Sequence, residues 1–368
     1  MTAPRIDRID RIDRIEATAY TIPTDTHESD GTIEWRATTI VLVRAYGGGH
    51  HGLGYSYADA AAADVAGRLL APVVQGQSAM DTNACANAMA RATRNVGRPG
   101  LVSHAISAVD TALWDLKARL LDLPLVSLLG AARTEIAAYG SGGFTSYSIA
   151  RLEQQLREFA DVGLKAVKMK VGREPARDLE RVRAARAEID ETELFVDANG
   201  AYERKQALAF AEQFAELGVT WLEEPVSSDD LEGLRLLRDR APAPIRIAAG
   251  EYGYDAFYFR RMLEAGGVDV LQADATRCGG VTGFLAVAAL CQAFNVPLSA
   301  HTAPSLHTHL CCAAGPAMNV EYFHDHARIE TMLFDGARPP LNGALIPDLS
   351  RPGLGLDFKH VDADRYAV

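Results

Sequence analysis

Several common signatures are missing from this 368-residue chain. It has five cysteines, Cys85, Cys278, Cys291, Cys311 and Cys312, an odd number with no CxxC pair among them. That excludes a disulfide framework and the usual zinc spacing, and is expected of buried free thiols in a reducing compartment. There is no secretory h-region and no apolar run near the roughly 18 residues that read as a bilayer span. A soluble, cytoplasmic protein with no membrane partner is the expectation. Positive charge is in short supply: 37 Lys and Arg stand against 48 Asp and Glu, a net charge of −11. Nucleic acid and anionic membrane surfaces are therefore poor partners. A small anionic ligand is not excluded, because local charge decides its binding. Aromatics are few, at 7%.

Apolar residues are plentiful, 48% of the chain, enough for one large domain or two modest ones. The N-terminus repeats as "RIDRIDRIDRIE". Its last copy runs into a strand, and the earlier copies read as an exposed or partly disordered tandem expansion without chemistry. Residues 13–58 are strand-like, with the polar segments "DTHESDGT" and "GGGHHG" between strands. Helical patterns follow, the clearest being "HAISAVDTALWDLKARLLDLPLVSLLG", which ends at Gly130. Residues 1–130 thus read as a compact α+β unit.

Beyond this point short apolar strands alternate with amphipathic helices. The strands fall at 136–141, 165–171, 193–197, 219–223, 245–249, 268–273, 296–300 and 318–322. Eight strands joined mostly by helices predict a TIM-type (β/α) barrel over residues 131–325. A doubly wound open sheet is the rival. It would more often carry a glycine-rich phosphate loop, and "GSGGF" after the first of these strands does not make GxGxxG. The loop-rich tail, residues 326–368, is expected to return to the first domain.

In a barrel the functional face lies at the C-terminal ends of the strands. Seven of these ends carry ionisable groups: Lys168 and Lys170, Asp197, Glu223, Glu251, Asp274, His301 and Glu321. Any one alone is most often a helix cap or a solvated loop residue. Seven in phase must converge and pair, because isolated buried charges are too costly. Asp197, Glu223 and Glu251 come from consecutive strands and make a set of hard oxygen ligands suited to Mg²⁺. Zinc would more often recruit His or Cys. Glu224 should face the opposite side if the strand continues. Lys168 and Lys170 are two apart and face the same way, with Met169 turned to the helices. Each ammonium should depress the other, which makes Lys170 a general base and leaves Lys168 to hold an anion. Asp274 would fix the tautomer of His301, a second acid/base group.

With "KMK", "DAN", "EEP", "GE", "QADATRCGG" and "SAHT" in these positions, and "AVDTALWDLKAR" and "PGLGLDF" outside the barrel, the chain resembles the mandelate racemase subgroup of the enolase superfamily over nearly its whole length. The resemblance implies a (β/α)7β barrel capped by an N-terminal α+β domain that the C-terminal segment completes. It implies a carboxylate substrate bound to Mg²⁺ on Asp197, Glu223 and Glu251. A base removes the proton α to that carboxylate to give an enediolate. Lys170, tuned by Lys168, and His301 with Asp274 take the acid/base positions. Glu321 takes the position that hydrogen-bonds a carboxylate oxygen of the substrate. A homo-oligomer, dimer to octamer, is implied on the same ground. The muconate-lactonizing type would put a lysine on the sixth strand, where this chain has Asp274 and no lysine between Val268 and Gly280.

Two opposed bases permit β-elimination of water or 1,1-proton transfer. The polar segments carrying His27, Asp30, His50 and His51 are expected to cap the site and to suit hydroxyl groups. The resemblance implies dehydration of an acid sugar more often than racemisation, so a hydro-lyase acting on an aldonate or aldarate is favoured, with an acid-sugar epimerase or hydroxy-acid racemase as the alternative. A silent barrel that senses an acid sugar would bind without α-proton exchange. A metal-dependent hydrolase would need histidine ligands such as HxH on the first barrel strand, and "IAAYGSG" has none.

Overall fold

A computed structural model describes residues 10–368. The chain opens with a three-stranded antiparallel meander: β1 (Arg14–Ser29), β2 (Glu34–Gly47) and β3 (His50–Tyr57). Only part of the N-terminal repeat lies within the described residues. The copy at 11–13 is not free, as the sequence had led us to expect: Ile12 is buried in the first core, and its N–H donates to the Gln77 carbonyl at 2.9 Å. An apolar side chain with room beneath it packs whatever repeat it belongs to.

The helix Leu101–Leu120 lies across this sheet, with buried residues spaced along its inner face. It packs directly on the β3 backbone. A Cβ added at Gly54 would lie 2.1 Å from the Ala108 carbonyl oxygen, so only glycine permits that approach. The single long helix read as far as Gly130 is in fact two. The first stops at Leu120, a turn ends in Pro124, and a short helix spans Leu125–Leu129. The residue before a proline disfavours helical geometry, which explains the break.

Eight parallel strands follow: β4 (Ile136–Gly142), β5 (Ala166–Lys170), β6 (Glu193–Asp197), β7 (Val219–Glu223), β8 (Arg246–Ala249), β9 (Val270–Ala273), β10 (Leu298–Ala300) and β11 (Ala317–Phe323). Each pairs with the next, and β11 pairs with β4, so the sheet closes on itself. One helix of ten or more residues lies between each successive pair, giving the (β/α)7β order. The capping residues of several helices are the side chains that such loops favour. Ser148 accepts from the Arg151 N–H, Asp230 from the Gly233 N–H, and Asp255 from those of Phe257 and Tyr258. The barrel interior is solid: Tyr139, Phe195, Trp221, Ala248 and Val270 fill it, with Phe195 and Trp221 stacked at 4.9 Å.

The last residues run back to the first sheet. Phe334–Asp335 pairs with Asp357–Phe358, the Leu125 N–H donates to Gly353, and the Val368 N–H donates to Ala19. Side chains tie cap to barrel along this seam. Ser56 Oγ donates to the Thr276 carbonyl at 2.6 Å, and Ser103 Oγ to those of Tyr254 and Arg277 at 2.8 and 2.7 Å. No described helix is long and apolar enough to cross a membrane.

Candidate active site

Strand register sets the level of each charged side chain. Lys170 pairs with Asp197, and Asp197 with Glu223, so the three stand side by side on neighbouring strands. Lys168 sits two residues deeper, opposite Phe195. Its ammonium is fully buried, 2.5 Å from Glu223 Oε1, 2.8 Å from Glu321 Oε1 and 3.5 Å from Asp197 Oδ2. Lys170 Nζ donates to Asp197 Oδ2 at 2.5 Å. The two lysines thus interleave with the carboxylates and do not stand alone together.

That pairing reverses one expectation. Burial and Lys168 do act against a charged Lys170, but Asp197, helped by Glu223 and Glu251, outweighs both, and the pKa of Lys170 is raised. The sequence reading had counted the like charge and not the acids arriving from three other strands. Lys168 is also raised, since Glu223 and Glu321 together overcome its burial.

Asp197, Glu223 and Glu251 each offer an oxygen within 4.8 Å of the other two, and all three are buried. Glu251 Oε2 makes no hydrogen bond among the described residues, although His301 Nε2 lies 3.3 Å from it without bonding geometry. Burial, with the charge of Asp197 next to it, pushes Glu223 up. Asp197, Glu223 and Glu321 share the two ammonium groups, while Glu251 Oε1 has Arg277 Nη1 at 3.4 Å, so four acids face three cations. Orphaned oxygen, hard donors and surplus negative charge together fit a divalent cation. Trp221 donates its indole N–H to Glu223 Oε2 at 3.0 Å, and the Asn199 N–H donates to Asp197 Oδ1 at 2.9 Å, so both carboxylates are held in place. Glu224 does not face away on a continuing strand. β7 ends at Glu223, and Glu224 turns with φ of 37° into the same buried region, where burial and Glu251 push its carboxyl well up.

On the other side of the ring, His301 Nδ1 lies 2.9 Å from Asp274 Oδ2. β5 and β10 are three strands apart one way around the barrel and five the other. Burial would raise Asp274, but His301, Arg277 and His307 more than compensate and keep it ionised. His301 Nε2 points back toward the acids, 3.3 Å from Glu251 Oε2 and 3.8 Å from Glu321 Oε2. Glu321 is likewise held well below the carboxylate range, because Lys168, His301 and Lys170 outweigh its burial. It accepts from Ser141 Oγ at 2.6 Å and from the Thr302 N–H at 3.2 Å.

The contacts of His307 explain how the dyad is held. Its Nδ1–H donates to the Thr302 carbonyl at 2.7 Å, and its Nε2 accepts from the Ala275 N–H at 2.9 Å. It therefore ties the loop after β9 to the loop after β10. That second loop carries two successive non-glycine residues in the left-handed region, Thr302 (φ 52°) and Ala303 (φ 40°). Strain of this kind persists only where the surroundings enforce it.

A cavity of about 390 Å³ lies above these groups. Lys170, Glu251, His301 and Glu321 face it from the barrel, together with Asn199, Tyr252 and Arg277, which the sequence reading had not assigned. Lys168, Asp197, Glu223 and Asp274 lie behind that surface. The cap contributes Asp30, Ile33, Trp35, Thr38 and Tyr57, the end of β11 adds Phe323, and the helix after it adds His326. Of the cap residues named from sequence, only Asp30 is in place, and its Oδ1 accepts from the N–H groups of Thr32 and Ile33. His27 faces outward beside Glu34. His50 and His51 open β3 at the far end of the meander, and His51 borders a different cavity beside Arg44 and His360. A signal was available: successive turns of a meander lie at opposite ends, so the two polar loops could not both cover one site. His326, stacked on Tyr57 with ring centroids 3.4 Å apart, carried no such signal.

Comparison with known proteins agrees with this arrangement. Residues 16–130 match the mandelate racemase/muconate lactonizing enzyme N-terminal domain, and residues 151–363 match the enolase C-terminal domain-like family. L-talarate/galactarate dehydratase of Salmonella typhimurium is 32% identical over 72% of this chain and 68% of its own length. Arabinonate dehydratase of Saccharolobus solfataricus is 29% identical over 88% of both chains. Among solved structures, a mandelate racemase/muconate lactonizing enzyme-like protein from Rubrobacter xylanophilus superposes with a TM-score of 0.96 at 54% identity, covering 97% of this chain and 100% of that one. A racemase from Streptomyces coelicolor with bound magnesium gives 0.91 at 30% identity, again over 97% and 100%. Matched at both ends of its length, with the strand-end acids and bases drawn to one cavity, the chain belongs to the mandelate racemase/muconate lactonizing enzyme family of the enolase superfamily.

Proposed function

We propose that this protein removes the proton α to a carboxylate and expels the β-hydroxyl of an acid sugar, an aldonate or aldarate, to give a 2-keto-3-deoxy acid. The observation that carries the reading is that Lys170 and His301, from well-separated strands, face one cavity with Glu251 between the lysine's strand and the histidine's. Asp197, Glu223 and Glu251 would hold Mg²⁺, in keeping with the magnesium bound in the S. coelicolor racemase and in L-talarate/galactarate dehydratase. When bound, the ion would supply positive charge beside the substrate carboxylate, where negative charge builds as the α-proton leaves.

The chain's own groups divide the remaining work. Lys170 Nζ takes the α-proton, and to do so its ammonium must first give up one of its own. His301, held by Asp274 through Nδ1, delivers the Nε2 proton to the departing hydroxyl, so that one proton leaves carbon and one joins oxygen as water forms. Lys168 keeps Glu223 and Glu321 in place from below. Trp35, Tyr57 and Phe323 exclude water above. The chain is read as a capping unit of residues 1–130, a barrel of 131–325 and a returning segment of 326–368.

The same two bases serve 1,1-proton transfer, and the similarity to a racemase favours that as the second reading. Purified protein with Mg²⁺ and a panel of aldonic and aldaric acids in D₂O, followed by ¹H NMR, separates the two. A new 3-deoxy methylene signal is the expected result. Deuterium at the α-carbon without that signal would replace dehydration by racemisation or epimerisation. Inertness of every acid would defeat both.

A further inference from the structure

A second cluster of side chains that carry metal-ligating atoms lies outside the cavity lining. Asp25 and Glu28 come from the end of β1, around the irregular register between Pro23 and Glu28. His324 opens the helix His324–Leu333 directly after β11. One ligand atom from each lies within 4.8 Å of the other two, and His324 Nε2 is 2.9 Å from Asp25 Oδ2. Glu28 is completely buried. Its Oε2 accepts from the Trp35 indole N–H at 2.8 Å, but Oε1 has no partner among the described residues. Asp325 is no candidate ligand, since Thr38 and Arg328 already engage its two oxygens. A buried carboxylate oxygen without a donor is costly, and it sits here beside a half-exposed aspartate and an imidazole.

We propose that Asp25, Glu28 and His324 form a second metal site, for a transition-metal dication such as Zn²⁺, which fastens the cap segment to the end of β11. The donor set differs from the barrel triad in the way that matters. Three carboxylates suit a hard ion, whereas one imidazole with two carboxylates suits zinc, cobalt or manganese. Ligand atoms held about 2.0–2.2 Å from zinc lie roughly 3.3 Å apart in a tetrahedron, so His324 Nε2 and Asp25 Oδ2, now 2.9 Å apart, need to part slightly to admit the ion between them. Asp25 and His324 are partly exposed, which gives the ion a way in. The dication is the partner that Glu28 Oε1 lacks. Through Oε2 and Trp35 it would also steady one wall of the cavity.

The test counts metal. Full-length protein stripped with a chelator is equilibrated with Co²⁺, freed of excess ion and analysed for bound cobalt by mass spectrometry and visible absorption. Two equivalents are expected in the wild type, one in H324Q and one in E251Q, with the nitrogen-ligated cobalt spectrum kept in E251Q and lost in H324Q. Asp25→Asn, at an exposed position that folding tolerates, should weaken this site by at least the roughly 10–100-fold that loss of a metal's outer-shell partner costs. Equal cobalt content in wild type, H324Q and D25N would overturn the proposal. A wild-type count unchanged in E251Q would overturn the barrel triad instead, so the two failures are distinguishable.

Discussion

At the scale of single residues, the site is defined by which charges touch. Lys170 and His301 are the groups placed to move protons, so Lys170→Ala and His301→Asn should each lower kcat/KM by about 10²–10⁴, the usual worth of a positioned acid or base. The D₂O assay distinguishes them further: for one substrate configuration, the variant lacking the abstracting base loses α-exchange, while the other retains it and stalls at loss of the hydroxyl. Equal loss of exchange in both variants would count against separate roles. The residue behind the metal ligands is testable in its own right. Trp221→Phe keeps the ring that fills the barrel but removes the N–H that Glu223 Oε2 accepts. Mg²⁺ affinity should fall about 10–100-fold with little change in melting temperature, measured by calorimetric titration and thermal unfolding. Unchanged affinity would reduce Trp221 to a packing residue.

At the scale of elements, the strands of the barrel and of the cap were legible, and the way the cap docks was not. Each barrel strand falls within two residues of its position read from sequence, because a strand buried on both faces is a short apolar run bounded by glycine or polar residues. The phase of the charged residues was legible for the same reason, since their position at strand ends is a property of one element each. The charge state of Lys170 was not, because it depends on Asp197, Glu223 and Glu251, each from a different strand. The cap's contribution was hidden likewise: which end of an antiparallel meander meets the barrel is decided by docking. Asp30–Ile33 is the end that does so, and Gly31 shows how closely. A Cβ there would lie 2.4 Å from the Ala198 carbonyl oxygen and 2.7 Å from that of Val171. Gly31→Ala should therefore cost about 1–3 kcal/mol of stability through overpacking against backbone that cannot yield. The displaced turn carries the segment leading to Trp35, so KM for the substrate should rise more than kcat falls. A fall in kcat at constant KM would mean that the turn acts on the chemistry and not on the cover.

At the scale of the whole molecule, buried carboxyls pin the cap to the barrel and give the fold a pH dependence. Asp110, on the helix that crosses the first sheet, accepts from Thr282 N–H and Oγ–H on the barrel at 2.9 and 2.7 Å. Burial nonetheless pushes its carboxyl up to about 7, the Thr282 bonds offsetting only part of the cost. Glu330 accepts from Tyr55 on β3 at 2.7 Å and from the Ser305 N–H at 2.9 Å, and burial pushes it up to about 7 as well. Free carboxyls of these two kinds titrate near 4, at 3.8 and 4.5, so between there and about 7 the folded chain holds protons that the unfolded chain releases. Stability contributed by these groups is complete below the unfolded values and is lost as pH rises through the folded ones. His309 works in the opposite direction. Burial lowers it from 6.5 to about 4, so its contribution is present above 6.5 and is lost as pH falls toward 4. The two effects oppose each other at mildly acid pH, and above 6.5 only the carboxyls act. Melting temperature should therefore decline from pH 6.5 to 7.5, and the decline should be shallower in Asp110→Asn and Glu330→Gln whatever their absolute stability. An equal slope in both variants and the wild type would place the titrating groups elsewhere. A flattened slope would show that the covered site is held together by carboxyls kept protonated at the seam between its two parts.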